Sequence, residues 1–268
     1  MNHIARDFAS RDGRSYRCHS WELRQGGYRR IALYWGNGLW PAVEETKLIG
    51  FLVEKGFKVL ALDLAFGQAE GPTIGLRAFR EAAASLAAEA SDSGLPVYLI
   101  ASSFSASALL PAVKEFGPIV STALIAPVLL FPPAGLRSTF PCFAAATLRV
   151  DALTLSGEPA LLDGLMDRPR HQRFRKRDLR ALASESPLAR ASELGGRAAV
   201  FAGEEDPLLG DGELRELEKA GVRVYSYPRV RREPARDRYS DNFYADLGSF
   251  LDEMESTRPS GRPPRRTG

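Results

Sequence analysis

A chain of 268 residues is long enough to bury a substantial core as one large domain or two small ones, and 44% apolar residues with three Met mark an ordinary globular composition. No run of eighteen apolar residues occurs, which excludes a membrane-spanning helix, and a net charge of +3 is too small to imply a polyanion partner for the whole chain. The polar opening MNHIARDFASRDGRS has no signal-peptide core, so the expected compartment is cytoplasmic; Cys18 and Cys142, without His or Cys neighbours at ligand spacing, read as reduced thiols.

In chain order, SYRCHSWELR (15–24) alternates polar and apolar residues and predicts an edge or antiparallel strand. Gly26-Gly27 gives a turn before the short strand IALYWGNG, which ends in a glycine-flanked loop. PAVEETKLIGFLVEKG predicts a helix from Pro41 to Gly56, and FKVLALDL (57–64) a buried strand. The alternation then repeats: helix TIGLRAFREAAASLAAEASDSG, strand PVYLIA, helix SASALLPAVKEF, strand PIVSTALIAPV. After a long interval come strand RAAVFAG (197–203), helix GDGELRELEKAG, strand VRVYSY and a last helix over SDNFYADLGSFLDEME.

Strands separated by single helices imply parallel pairing with right-handed crossovers, hence an α/β class with a mostly parallel central sheet and helices on both faces. The stretch 129–196 is too long for a plain connection and predicts a partly helical inserted cap. The expected organisation is therefore a core formed by 1–128 and 197–255, a cap at 129–196, and a Pro/Arg/Gly-rich tail over 256–268 with almost nothing to bury, expected to be disordered.

The chemistry points to one corner. In VYLIASSFSASALLPAV (97–113) a strand meets Ala101-Ser102-Ser103-Phe104-Ser105 and a helix follows at once. A nucleophilic serine at such a junction needs small neighbours, because backbone packs against its strained turn. The pentapeptide alone reads equally well as a Ser-rich helix N-cap. Further on, AVFAGEEDPLL places Asp206 beyond a strand and ahead of a helix, either as the acid of a catalytic set or as an N-cap before Pro207. LYWGNGLW ends a strand in a Gly-flanked loop, where the backbone N–H of Asn37 could face the N–H of Phe104, and two such donors would form an oxyanion hole.

The order of elements, the small-residue elbow, the insertion and Asp206 together resemble the α/β-hydrolase superfamily over roughly residues 15 to 255. More narrowly, LIASSFSA and EKGFKVLALD resemble the bacterial luminescence acyl-transferase family, thioesterase-like enzymes that cleave acyl groups from carrier proteins. The resemblance implies a serine acyl hydrolase or acyl transferase acting on an ester or thioester, with Ser103 as nucleophile, Asp206 as the acid, and Asn37 and Phe104 as oxyanion donors.

The pattern breaks at the general base. The loop after VRVYSY, PRVRREPARDRYSDNFYADL, has no histidine, and His3, His19 and His171 all precede Asp206. Arg231 and Arg232 stand about where that histidine would fall, but a guanidinium stays protonated. Glu233, Asp237 and Asp241 are closer in kind yet weak bases for a serine. His171, in the insertion, is a possible substitute base or a solvated side chain in a basic run. An alternative expectation follows: a catalytically impaired homologue that binds an acyl ligand or a partner.

RPRHQRFRKRDLR (168–180) carries seven Lys and Arg, and RVRREPAR adds more. They read as solvated surfaces or as a docking face for an acidic carrier protein. Apart from Phe174 they lack aromatic interleaving, which argues against nucleic acid. No phosphate-loop or dinucleotide pattern follows any strand, so no cofactor is expected.

Overall fold

The computed structural model describes residues 1–24, 27–66, 73–130, 145–150, 155 and 170–258, with the side chains of 145–150, 170 and 171 excepted. The elements are β1 (Asn2–Ala9), β2 (Ser15–Glu22), β3 (Arg30–Trp35), α1 (Thr46–Glu54), β4 (Phe57–Leu62), α2 (Leu76–Asp92), β5 (Val97–Ser102), α3 (Ser103–Leu109) and β6 (Ile119–Ile125). There follow β7 (Ala145–Val150), β8 (Arg170–Arg175), α4 (Lys176–Ser184), α5 (Pro187–Ser192), β9 (Ala198–Gly203), α6 (Asp211–Lys219), β10 (Arg223–Tyr227) and α7 (Ser240–Ser256).

Eight strands form one sheet in the order β1-β2-β4-β3-β5-β6-β9-β10. The β1–β2 and β2–β4 ladders are antiparallel and all other pairs in it are parallel. The inner strands are nearly continuous apolar runs because both faces are covered. On one face, Leu33, Leu99 and Val200 pack with Phe79 and Leu86 of α2, Leu182 of α4 and Leu217 of α6. On the other, Tyr98, Ile100 and Phe201 pack with Ile49 and Leu52 of α1 and Phe243, Leu247 and Phe250 of α7. In α2 the buried positions Leu76, Phe79, Ala83, Leu86, Ala87 and Ala90 follow helical spacing, and the chain leaves the helix through Gly94 at φ +71°.

One local expectation is corrected, the helix start at Pro41, and two stretches gain detail. The polar N-terminus is a strand, β1, at the edge of the sheet, paired with β2 and held against α2 through Arg6–Glu89. The helix expected from Pro41 is a 3-10 turn over Ala42–Glu44 and becomes α-helical only at Thr46. The interval 129–196 holds, besides helices α4 and α5, the two-stranded antiparallel sheet β7–β8. Cys142 and residues 259–268 of the expected tail lie outside the described residues, and α7 runs through Ser256.

Candidate active site

Ser103 sits at the junction of β5 and α3 with φ 54°, while Ser102 before it is extended at φ −117°. A non-glycine residue in the left-handed region is strained, and here the surroundings hold it. The neighbouring hydroxyls explain the Ser-rich run. Ser105 Oγ accepts the Phe66 N–H at 3.2 Å, and Ser107 Oγ accepts the Val128 N–H at 3.0 Å, tying α3 to the loops after β4 and β6. Phe104 is fully buried with its ring 4.6 Å from that of Phe174, and Phe174 also touches Phe66.

Asp206 follows β9 in a turn: its N–H donates to Gly203 O, and its Oδ1 accepts the Leu208 N–H at 2.8 Å. It does not cap α6, whose N-cap is Gly210. The turn also receives the loop after β10, since Glu204 N–H donates to Tyr227 O and Glu205 N–H to Val230 O. Gly203 permits this crossing: a Cβ there would lie 2.1 Å from the carbonyl oxygens of Val230 and Arg231.

That loop carries Arg232 into the space between Asp206 and Ser103. Its Nη1 donates to Asp206 Oδ1 at 2.7 Å, and its Nη2 donates to Ala126 O at 2.7 Å and to Ser103 Oγ at 3.1 Å. The side chains of Arg232 and Asp206 are 4% and 0% exposed. Burial raises the pKa of Asp206, opposed by the Arg232 charge and by the Leu208 N–H. Asp206 Oδ2 has no partner among the described residues. Arg232 and Glu233 both donate their backbone N–H to Leu155 O, so a residue of the insertion fixes the segment.

Asn37 is buried in the loop after β3. Its Oδ1 accepts the Leu39 N–H, its Nδ2 donates to Glu233 Oε1 at 2.7 Å, and its carbonyl accepts from Gln172 Nε2 at 2.6 Å. Gln172 and Phe174 thus lay β8 over the loop after β3 and over the β5–α3 turn. Glu233 is pushed up to about 7, chiefly by burial and next by the Glu45 carboxylate, against the pull of Arg236, Asn37 and Arg232. Arg236 pairs with Glu45 at 3.0 Å and lies over the Trp40 ring at 4.2 Å.

The structure therefore brings Ser103, Asp206 and Arg232 together, with Asn37 linked to them through Glu233. His171 lies on β8, its backbone paired with Arg149, and its side chain is outside the described residues. The sequence marks the position of Arg232 but not its use; no sequence signal pointed to the Asn37–Glu233 bond or to the close approach at Gly203. Among the described residues no group of three His, Cys, Asp or Glu side chains converges to hold a metal.

No protein-family model matches the sequence, and no curated protein matches it. Solved structures do match in three dimensions. The esterase domain of a Rhodothermus marinus protein superposes with TM-score 0.66 at 17% identity, covering 94% of this chain and 97% of that one. The monoglyceride lipase of Saccharomyces cerevisiae, solved with a substrate analogue, gives 0.70 at 12% identity, covering 94% of each chain. The monoacylglycerol lipase of Paleococcus ferrophilus gives 0.66 at 16% identity, covering 95% of this chain and 100% of its own. With a mostly parallel eight-stranded sheet, a strained Ser103 at the β5–α3 turn and this breadth of superposition, the chain has the α/β-hydrolase fold.

Proposed function

We propose that the chain is a catalytically impaired α/β-hydrolase homologue that binds an acyl ligand instead of hydrolysing it. One observation carries this reading: the guanidinium of Arg232 occupies the position between Ser103 Oγ and Asp206 that a general base requires. A guanidinium donates only, so it cannot take the serine proton, and its N–H engages a lone pair of the oxygen that would attack. Loss of the base in a serine hydrolase costs on the order of 10⁶ in turnover, leaving a residual effect of roughly 10³ from binding and the oxyanion donors. Glu233 offers no substitute in this geometry, because its carboxylate faces Asn37.

The acyl part of the reading rests on what is retained. The elbow keeps its strained φ at Ser103, and the rings of Phe66, Phe104 and Phe174 cluster behind it, which supports a retained apolar site; we assign the backbone N–H groups of Asn37 and Phe104 as its oxyanion donors. We read the exposed Arg173, Arg175, Arg177 and Arg180 on β8 and α4 as the face that meets an acidic carrier of the acyl group, as the likeness to luminescence acyl-transferases suggests.

The test is mass spectrometry of Ser103 after exposure to a fluorophosphonate and to a long-chain p-nitrophenyl ester. The expected result is slow labelling limited to about one equivalent, a persistent adduct, and a melting temperature raised by the corresponding fatty acid. Rapid multiple turnover that disappears in Ser103→Ala overturns the reading.

A further inference from the structure

A second arrangement of reactive groups lies far from the elbow in sequence, on the antiparallel margin of the sheet. His3 on β1 pairs with Trp21 on β2, and His19 on β2 pairs with Ala5 on β1 and Ala61 on β4. Asp63 follows Ala61 by two residues and continues the ladder through its N–H to Arg17 O. The two-residue period puts His3, His19, Trp21 and Asp63 on one face, in a row across three strands.

Two hydrogen bonds link them head to tail. His19 Nε2 lies 2.8 Å from Asp63 Oδ2, and His3 Nε2 lies 2.9 Å from His19 Nδ1. An ionised carboxylate only accepts, so His19 Nε2 carries the hydrogen; in the tautomer pair we assign, His19 Nδ1 accepts and His3 Nε2 donates. This assignment leaves the lone pair of a neutral His3 ring on Nδ1.

The ring geometry agrees. The two imidazole planes differ by 17° with centroids 5.1 Å apart. A nitrogen–nitrogen distance of 2.9 Å is shorter than the spacing of stacked rings, so they meet edge to edge with donor and lone pair in line. Trp21 lies parallel to His3 at 4.8 Å and 13° and holds its plane. His19 is buried while His3 is exposed, so the relay runs from an oriented interior base to a ring in solvent. Burial, then His19 and Arg17, lower the pKa of His3 against the opposing Asp63 carboxylate, which favours the neutral ring.

We propose that His3 is a nucleophile for acyl transfer from small activated carboxylic esters, with His19 as its base and Asp63 as the residue that positions His19. His3 Nδ1 attacks the ester carbonyl and the alkoxide or phenoxide leaves. The N-acyl ring would be cationic, and its Nε2 proton passes to His19 Nδ1, where Asp63 stabilises the imidazolium. Water then adds to the acyl-imidazole: one of its protons stays on the carboxylic acid that departs, the other passes through solvent to the released alkoxide or phenoxide, and the His19 proton returns to His3 Nε2 as Nδ1 regains its lone pair. The sum is ester plus water to acid plus alcohol, with no contribution from Ser103.

The experiment uses the full chain carrying Ser103→Ala, with p-nitrophenyl acetate as the probe. The expected result is retained nitrophenol release, a transient acetyl group on the peptide containing His3, and loss of about 100-fold in rate on adding His3→Gln. Asp63→Asn, with His3 intact, should lower the rate about tenfold and alter the pH profile, which an isolated surface imidazole would not do. His3→Gln replaces an exposed side chain, so folding is not at risk. Release unchanged by His3→Gln, acetylation confined to the Met1 amine, or a His3-dependent rate indifferent to Asp63→Asn each overturns the proposal. None of these outcomes depends on whether the elbow is silent.

Discussion

Arg232 donates a hydrogen bond to the hydroxyl of Ser103, 129 residues away in sequence, while its other terminal nitrogen is bound to Asp206. In a serine hydrolase the middle residue must accept a proton from the serine and donate to the acid; arginine can do only the second. Ser103, Arg232 and Asp206 therefore form a buried ion pair with a serine attached to it.

If that side chain is what silences the elbow, Arg232→His should return proton acceptance to the site. We expect fluorophosphonate labelling of Ser103 to speed up by at least about 100-fold over the parent chain, the low end of what a positioned base contributes. The measurement is the rate of adduct formation by intact mass, with Ser103→Ala as the blank. Equal labelling rates in parent and variant would show that Arg232 is not the block.

The buried carboxyl of Glu233 gives a pH dependence of stability with a definite sign. Its pKa lies at about 7 in the folded chain against an ordinary 4.5, so the folded state holds the proton more tightly. The corresponding stability is fully present below pH 4.5 and is lost as pH rises through 7, up to about 3 kcal/mol if nothing relaxes. Glu45, Arg236, Arg232, Tyr34 and Asn37 are the groups that face it. Glu233→Gln keeps an acceptor for Asn37 Nδ2 and removes the charge. Its unfolding free energy should be flatter than the parent's between pH 5 and 8 and higher at pH 8; parallel curves would place the titration elsewhere.

The rhythm of helix and strand was legible because inner strands covered on both faces leave continuous apolar runs, and the glycine turns between them are local. The elbow was legible for the same reason: Ala101 to Ser105 are neighbours in sequence. β1 was not, since of its eight residues only Phe8 is buried, and an exposed edge strand leaves no hydrophobic alternation. The site's decisive bonds were not legible either. Arg232 to Ser103 and Asn37 to Glu233 span 129 and 196 residues, and nothing in the local chemistry of RVRREPAR says which arginine turns inward. Gly203 looked like the end of a strand, whereas its missing side chain is what lets a second loop pass over it.

Gly203→Ala tests that crossing. The added methyl would stand 2.1 Å from two backbone carbonyl oxygens, which cannot rotate away as a side-chain end could, so the loop at 230–232 must shift. Overpacking of this kind costs about 1–3 kcal/mol. We expect a denaturation midpoint lowered to match and, because Arg232 moves with the loop, faster labelling of Ser103. A midpoint equal to the parent's would mean the loop is less closely held than the Glu204 and Glu205 bonds imply.

The Arg232–Asp206 pair itself can be weighed by a double-mutant cycle. Both side chains are almost wholly excluded from solvent, so neither charge can fall back on water when its partner is removed. Arg232→Leu should then cost about 3–5 kcal/mol, because it leaves a carboxylate buried without its cation and strips Ala126 O of its donor. Asp206→Leu alone should cost a similar amount. The two substitutions together replace an ion pair by apolar groups, and buried pairs so replaced are often neutral or even stabilising. The double variant should therefore be more stable than either single one, a coupling on the order of 3 kcal/mol read from denaturant unfolding with unchanged m-values. Additive losses would mean that Arg232 and Asp206 contribute independently, and that what holds the guanidinium against Ser103 is the backbone of its loop.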